Sequence, residues 1–145
     1  MSFDPSAHRS VTLNRVAGSR YTVTNERGGS LTIGAGGSGP EFSPVELLLI
    51  AIGGCTGIDV DIVTSRRAEP ETFTVRVDGE KVRDEGGNHV TDIVVTFAVS
   101  FPDTPGGDEA RAILPEIVRK SQERLCAVGR TVELATPIES RIVQP

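Results

Sequence analysis

Two cysteines carry most of the chemistry this sequence could perform. Cys55 sits in "GGCTG", behind two glycines at the end of the apolar run Leu47 to Ile52 and ahead of Asp59 and Asp61, and Cys126 follows 71 positions later in "SQERLCAVG". An ionised thiol is a nucleophile, a redox group or a metal ligand, whereas a neutral buried one is a small hydrophobe. No metal site is expected. The only histidines are His8 and His89, neither near a cysteine in sequence, and no C-x-x-C or H-x-x-x-H spacing occurs. "GGCTG" also matches G-x-C-x-G, the nucleophile elbow of α/β hydrolases, in which a strand turns sharply into a helix. That elbow requires a strand before the cysteine, a histidine base late in the chain and several βα units, and 145 residues with only His89 after Cys55 do not provide them.

Composition narrows the setting. Fifteen basic residues against twenty acidic ones give a formal charge of -5, and no stripe of Lys and Arg could neutralise a run of phosphates. Nucleic acid is therefore not an expected partner. Leu47 to Ile52 is shorter than the ~20 residues that span a bilayer, and "MSFDPSAHRS" has no apolar core of a signal peptide, so no membrane partner and a cytoplasmic location are expected. Cytosolic thiols are kept reduced, which favours a catalytic, redox-sensing or metal-binding role over a structural disulfide. The length fits one domain over 1-145. With no Trp, its core must be built mainly from Val, Ile, Leu and Ala.

The elements that must position the cysteines are legible in the patterning. Residues 10–34 alternate apolar and polar around Val11/Leu13, Tyr21/Val23 and Leu31/Ile33, predicting a three-strand meander, and "AGGSGPEF" then reads as a loop. At "SPVE" the period changes: Ser43 is an N-cap, Pro44 suits the first helical position and Glu46 completes a capping box. The helix predicted from there to about Arg67 is apolar around most of its first half and is expected to be buried. Gly53 and Gly54 are costly inside it, which predicts close approach of another helix, from this chain or a second subunit. "TFTVRVDGE" and "VTDIVVTFAVSF" predict two longer strands joined by a turn at "RDEGGNH". A second helix is expected within 108–125, starting near Pro115 or kinked there. "TVELATPIESRIV" alternates again and reads as a last strand broken at Pro137. The order β-β-β-α-β-β-α-β is that of an α+β domain with two helices packed on antiparallel sheet.

"SPVELLLIAIGGCTGIDV", followed by "SQERLCAVG", resembles the OsmC/Ohr family of osmotically inducible and organic hydroperoxide resistance proteins, in its OsmC-like branch, from about Val11 to Ile142. The resemblance implies an intertwined homodimer with the cysteine helices at its centre, and thiol-dependent reduction of organic hydroperoxides, with hydrogen peroxide a poorer substrate, in oxidative stress defence. It implies that Cys55 attacks the peroxide as thiolate, that Cys126 resolves the resulting sulfenic acid to a disulfide, and that an external dithiol reduces it, without a bound cofactor. It also implies an arginine from the N-terminal hairpin that stabilises the thiolate. Arg20 is the best match by spacing, with Arg15 and Arg27 as rivals. The family's peroxidases carry a Pro-Glu carboxylate where this sequence has Val45. Glu46, one residue later, is the nearest acid, and Glu41 in the preceding loop is the other candidate. An α-helical step of ~100° turns Glu46 away from that direction. Asp59, one turn after Cys55, would raise a neighbouring thiol's pKa, unless Asp59 and Asp61 bond a strand or face solvent. A non-enzymatic dimeric module that senses oxidants or binds a hydrophobic ligand is the alternative, and the cysteine hydrolase is third.

Overall fold

A computed structural model describes residues 5–37 and 39–145. Ser38, in the loop predicted at "AGGSGPEF", and the first residues of "MSFDPSAHRS" lie outside these. The chain's contacts gather into two units, Met1–Leu48 and Leu49–Pro145.

The first unit holds the predicted meander: β1 (Val11–Ala17), β2 (Arg20–Asn25) and β3 (Ser30–Ile33), antiparallel in the order β1-β2-β3. Its second turn is set by one side chain. The Asn25 Oδ1 accepts from the backbone N–H of Arg27 at 3.1 Å and of Gly29 at 2.8 Å, and a side chain at Gly29 would strike that same amide. Ile33 is the buried residue of this sheet, and it bridges to Phe42 in parallel.

Helix α1 (Pro44–Ser65) starts where the capping box predicts. The Glu46 N–H donates to Ser43 Oγ at 3.2 Å and the Ser43 N–H donates to Glu46 Oε1 at 3.0 Å, so two otherwise orphaned donors are satisfied reciprocally. Its most apolar 18-residue window has a mean hydropathy of 1.8, enough by length and composition alone for a membrane span. One face is packed within the chain: Ile52, Gly53, Thr56, Gly57, Val60 and Thr64 are buried. The opposite stripe, Ile50, Gly54, Ile58 and Ile62, is exposed, so the burial expected all round this helix is realised on one side only.

In the second unit α1 packs on a long hairpin, β4 (Thr72–Asp84) and β5 (Gly87–Ser100), closed at the predicted turn by the Asp84 to Gly87 pairing. Phe73, Val75 and Val77 alternate inward on β4 and Ile93, Val95, Phe97 and Val99 on β5, with Phe73 and Phe97 meeting edge to face at 6.3 Å. Gly53 faces this hairpin. A Cβ there would lie 2.5 Å from Val77 Cγ2, so the glycine admits a strand, not the second helix that the sequence predicts.

Helix α2 (Pro105–Lys120) begins earlier than predicted, because Thr104 caps it by accepting from the Gly107 N–H at 3.0 Å and Pro105 takes the first helical position. Pro115 is inside it. A π-helical turn, Ser121–Leu125, follows, and then α3 (Ala127–Glu133). The last strand predicted over "TVELATPIESRIV" is therefore absent: its first residues are helical, and 136–145 have no regular structure, with Ile138 and Ile142 fully exposed. Period-2 alternation there lost to a cap at Cys126, and among the described residues the tail joins neither sheet.

Candidate functional site

Both predicted cysteines lie in the second unit, and both are free thiols. Cys55 is half-buried on α1. Its segment, 44–65, is helical throughout, which removes the strand that a hydrolase elbow requires. Cys126 is buried at 2 % exposure and occupies the extended residue between the π turn and α3. Its N–H donates to the Ser121 carbonyl at 2.8 Å, and its Sγ accepts from the Gly129 N–H at 3.3 Å, capping α3. Burial pushes the Cys126 thiol above its ordinary pKa. The Gly129 N–H pulls it back, while Cys55 and Asp59 push it further up through hydrogen bonding and like charge. The Cys55 thiol is thus close enough to Cys126 to act on its ionisation.

Sequence reasoning missed what ties α1 to the π turn. The Ser121 hydroxyl donates to Asp59 Oδ2 at 2.7 Å and lies 2.8 Å from Thr56 Oγ1. Having spent its one proton on the carboxylate, Ser121 accepts from Thr56. Ser121 is fully buried and Thr56 nearly so. Asp59 thus bonds the turn that carries Cys126 rather than a strand, whereas Asp61 is exposed. The signal was the alignment of Cys55, Thr56 and Asp59 along one helix. The partner, more than sixty residues away, carried none.

A cavity of about 220 Å³ adjoins Cys126. Ile52 and Thr56 of α1, Ile93, Val95 and Phe97 of β5, and Val118 and Val132 form its largely apolar wall. Gln122, Glu133 and the Cys126 sulfur are its other polar groups. Among the described residues no group of His, Cys, Asp and Glu could hold a metal ion.

The remaining predicted residues belong to the first unit. Arg20, at the start of β2, forms an ion pair with Glu41, the loop acid. Glu46 is held instead by Ser43, whose backbone N–H keeps the Glu46 carboxyl below the usual carboxylate range. Arg15 and Arg27 are exposed.

Comparison with known proteins agrees with this architecture. The family described as OsmC-like protein matches residues 36–141. An uncharacterised protein of Mycobacterium tuberculosis is 26% identical over 132 residues, covering 90% of this chain and 93% of its own. The solved structure of an OsmC-like protein of unknown function from Vibrio cholerae superposes with a TM-score of 0.69 at 15% identity, over 88% of this chain and 94% of the other. An organic hydroperoxide resistance protein OsmC from Legionella pneumophila, also called a predicted redox protein, superposes with a TM-score of 0.61 at 15% identity, over 89% and 91%. With the family's match covering most of its length and its fold shared by these structures, this chain belongs to the OsmC-like protein family.

Proposed function

We propose that the protein is a thiol-dependent peroxidase that reduces organic hydroperoxides through Cys55 and Cys126. One observation carries the reading: two free cysteines far apart in sequence lie on elements tied together by the Asp59–Ser121 bond, Cys55 half-buried on α1 and Cys126 buried against an apolar cavity. Neighbours named as hydroperoxide resistance proteins support it.

In this reading the Cys55 thiolate donates an electron pair to one peroxide oxygen. The O–O bond breaks, the alkoxide leaves and takes up a proton as alcohol, and Cys55 becomes a sulfenic acid. Cys126 then attacks the Cys55 sulfur and expels hydroxide, which leaves as water with the Cys126 proton. The disulfide so formed is reduced by an external dithiol. The raised pKa of Cys126 orders these steps. While Cys55 is anionic its charge opposes ionisation of Cys126, and oxidation of Cys55 to the neutral sulfenic acid removes that opposition. The apolar wall of the cavity suits the organic group of an alkyl or aryl hydroperoxide. The resemblance implies Arg20 as the cation of the reaction, and in the first unit Arg20 is paired with Glu41. The protein is proposed to act in the cytoplasm as a homodimer seated on the exposed stripe of α1, with no bound cofactor.

Titration of the reduced protein with cumene hydroperoxide, with free thiols counted and a dithiol supplied, tests the reading. Loss of two thiols per chain with multiple turnovers is expected, and neither in Cys55→Ser. A second reading, a non-enzymatic oxidant sensor, is favoured by Val45 standing where the family's peroxidases have an acid. It predicts one stoichiometric oxidation without turnover.

A further inference from the structure

We infer that Asp59 is the positioning residue of the thiol pair: through the buried Ser121 hydroxyl it anchors the turn that carries Cys126, and so holds the second sulfur against Cys55. The inference rests on the two-cysteine reading and adds a residue to it. Asp59 lies one helical turn after Cys55 on α1. Its Oδ2 accepts from Ser121 Oγ at 2.7 Å, and the Ser121 carbonyl accepts the Cys126 N–H at 2.8 Å, so a single residue links the carboxylate to the backbone of the second cysteine. Thr56, next to Cys55 in the chain, closes the arrangement from the other side at 2.8 Å.

The anchor is needed because of what it holds. The turn Ser121–Leu125 is π-helical, a rare form that occurs mostly as single turns in α-helices and frequently at functional sites. An ordinary continuation of α2 would rotate the following residues and carry Cys126 off the α1 face. The Ser121 hydroxyl is fully buried, so without the carboxylate it would keep only the Thr56 hydroxyl as a side-chain partner and its tie to α1 would lose the charge-assisted bond. A carboxylate is suited to the place because a charge-assisted bond is about twice as strong as a neutral one. The Asp59 charge also lies near Cys126 and disfavours its thiolate before Cys55 has reacted.

The test separates closing of the pair from peroxide chemistry. Reduced protein is oxidised in parallel with cumene hydroperoxide and with oxidised glutathione, which closes a cysteine pair by thiol exchange without a peroxide step, and the loss of each thiol is followed by quenched alkylation and mass spectrometry. In Asp59→Ala and Ser121→Ala, first-thiol loss at Cys55 should stay within about threefold of the unaltered chain. Closing of the disulfide should slow by about tenfold or more with either oxidant, the equivalent of one buried hydrogen bond. Asp59→Asn, whose amide oxygen still accepts from Ser121, should restore closing to within about threefold. Circular dichroism melting of each variant confirms that it is folded. The inference is overturned if Asp59→Ala closes the pair as fast as the unaltered chain, or if Asp59→Asn is as slow as Asp59→Ala. If the unaltered chain closes the pair with oxidised glutathione but not with the hydroperoxide, the peroxidase reading fails, and the comparison of closing rates still decides the role of Asp59.

Discussion

Cys126 is the residue whose environment makes the sharpest prediction. Burial is the main cause of its raised pKa, with Cys55 and Asp59 adding to it and the Gly129 N–H opposing. In the folded Cys55→Ser variant, alkylation of Cys126 by iodoacetamide should therefore begin at a more alkaline pH than for an ordinary thiol, whose pKa is about 8.5. Asp59→Asn should move that onset back toward neutrality. Alkylation of the folded Cys55→Ser variant with an ordinary profile would show that burial and Asp59 do not hold the Cys126 thiol up. The linkage to stability has a definite sign. Because the folded value is raised, the stability contributed by the neutral thiol is fully present below the unfolded pKa and is lost as pH rises through the folded one. Urea denaturation should show an alkaline decline above about pH 8.5 that is weaker in Cys126→Ala.

At the level of elements, local signals were written plainly and long-range partners were not. Ser43 and Glu46 cap each other as the S-x-x-E spacing predicts, and Ser43→Ala should cost about 1 kcal/mol in denaturant unfolding. The Glu46 half of that cap is fully present above the ordinary Glu pKa and is lost as pH falls through the lowered folded value. The Gly86 turn, predicted at "RDEGGNH", was equally readable, because it is a contact between near neighbours. Gly53 and Gly54 announced close approach, but a missing side chain says nothing about what comes near: at Gly53 it is Val77 on β4, and at Gly54 nothing in the chain lies within 4 Å. Gly53→Ala would force a Cβ to within 2.5 Å of Val77 Cγ2. Overpacking of that kind costs about 1–3 kcal/mol, which outweighs the roughly 1 kcal/mol gained in helix propensity, so a net loss of stability is expected. Thr56, Ser121 and Asp59 were invisible as a group, since nothing at position 121 marks it as the far end of a bond from α1. The tail failed as a strand because its alternation is a local signal, and residues 136–145 join neither sheet among the described residues.

For the whole molecule, the apolar surface left open is the guide. Ile50, Ile58 and Ile62 are each about half or more exposed along one side of α1, with Gly54 between them, and a Cβ at Gly54 would meet nothing within 4 Å in the chain. An exposed stripe of this kind on a helix whose other face is packed is what a second copy would cover, and a glycine at its middle lets another backbone come near. The tail adds Ile138, Ile142 and Val143, all exposed. Sedimentation velocity is expected to give a dimer for the unaltered chain and a monomer for Ile58→Glu, since burying that carboxylate unpaired would cost several kcal/mol. Gly54→Ala separates the cases further. On a free helix face it should raise stability by up to about 1 kcal/mol, whereas at a tight contact between copies it should weaken the dimer and lower the melting temperature. A monomeric unaltered chain, with Gly54→Ala stabilising it, would leave the α1 stripe without a second copy. The homodimer would then have to be given up, while the thiol pair, which lies wholly within one chain, would stand.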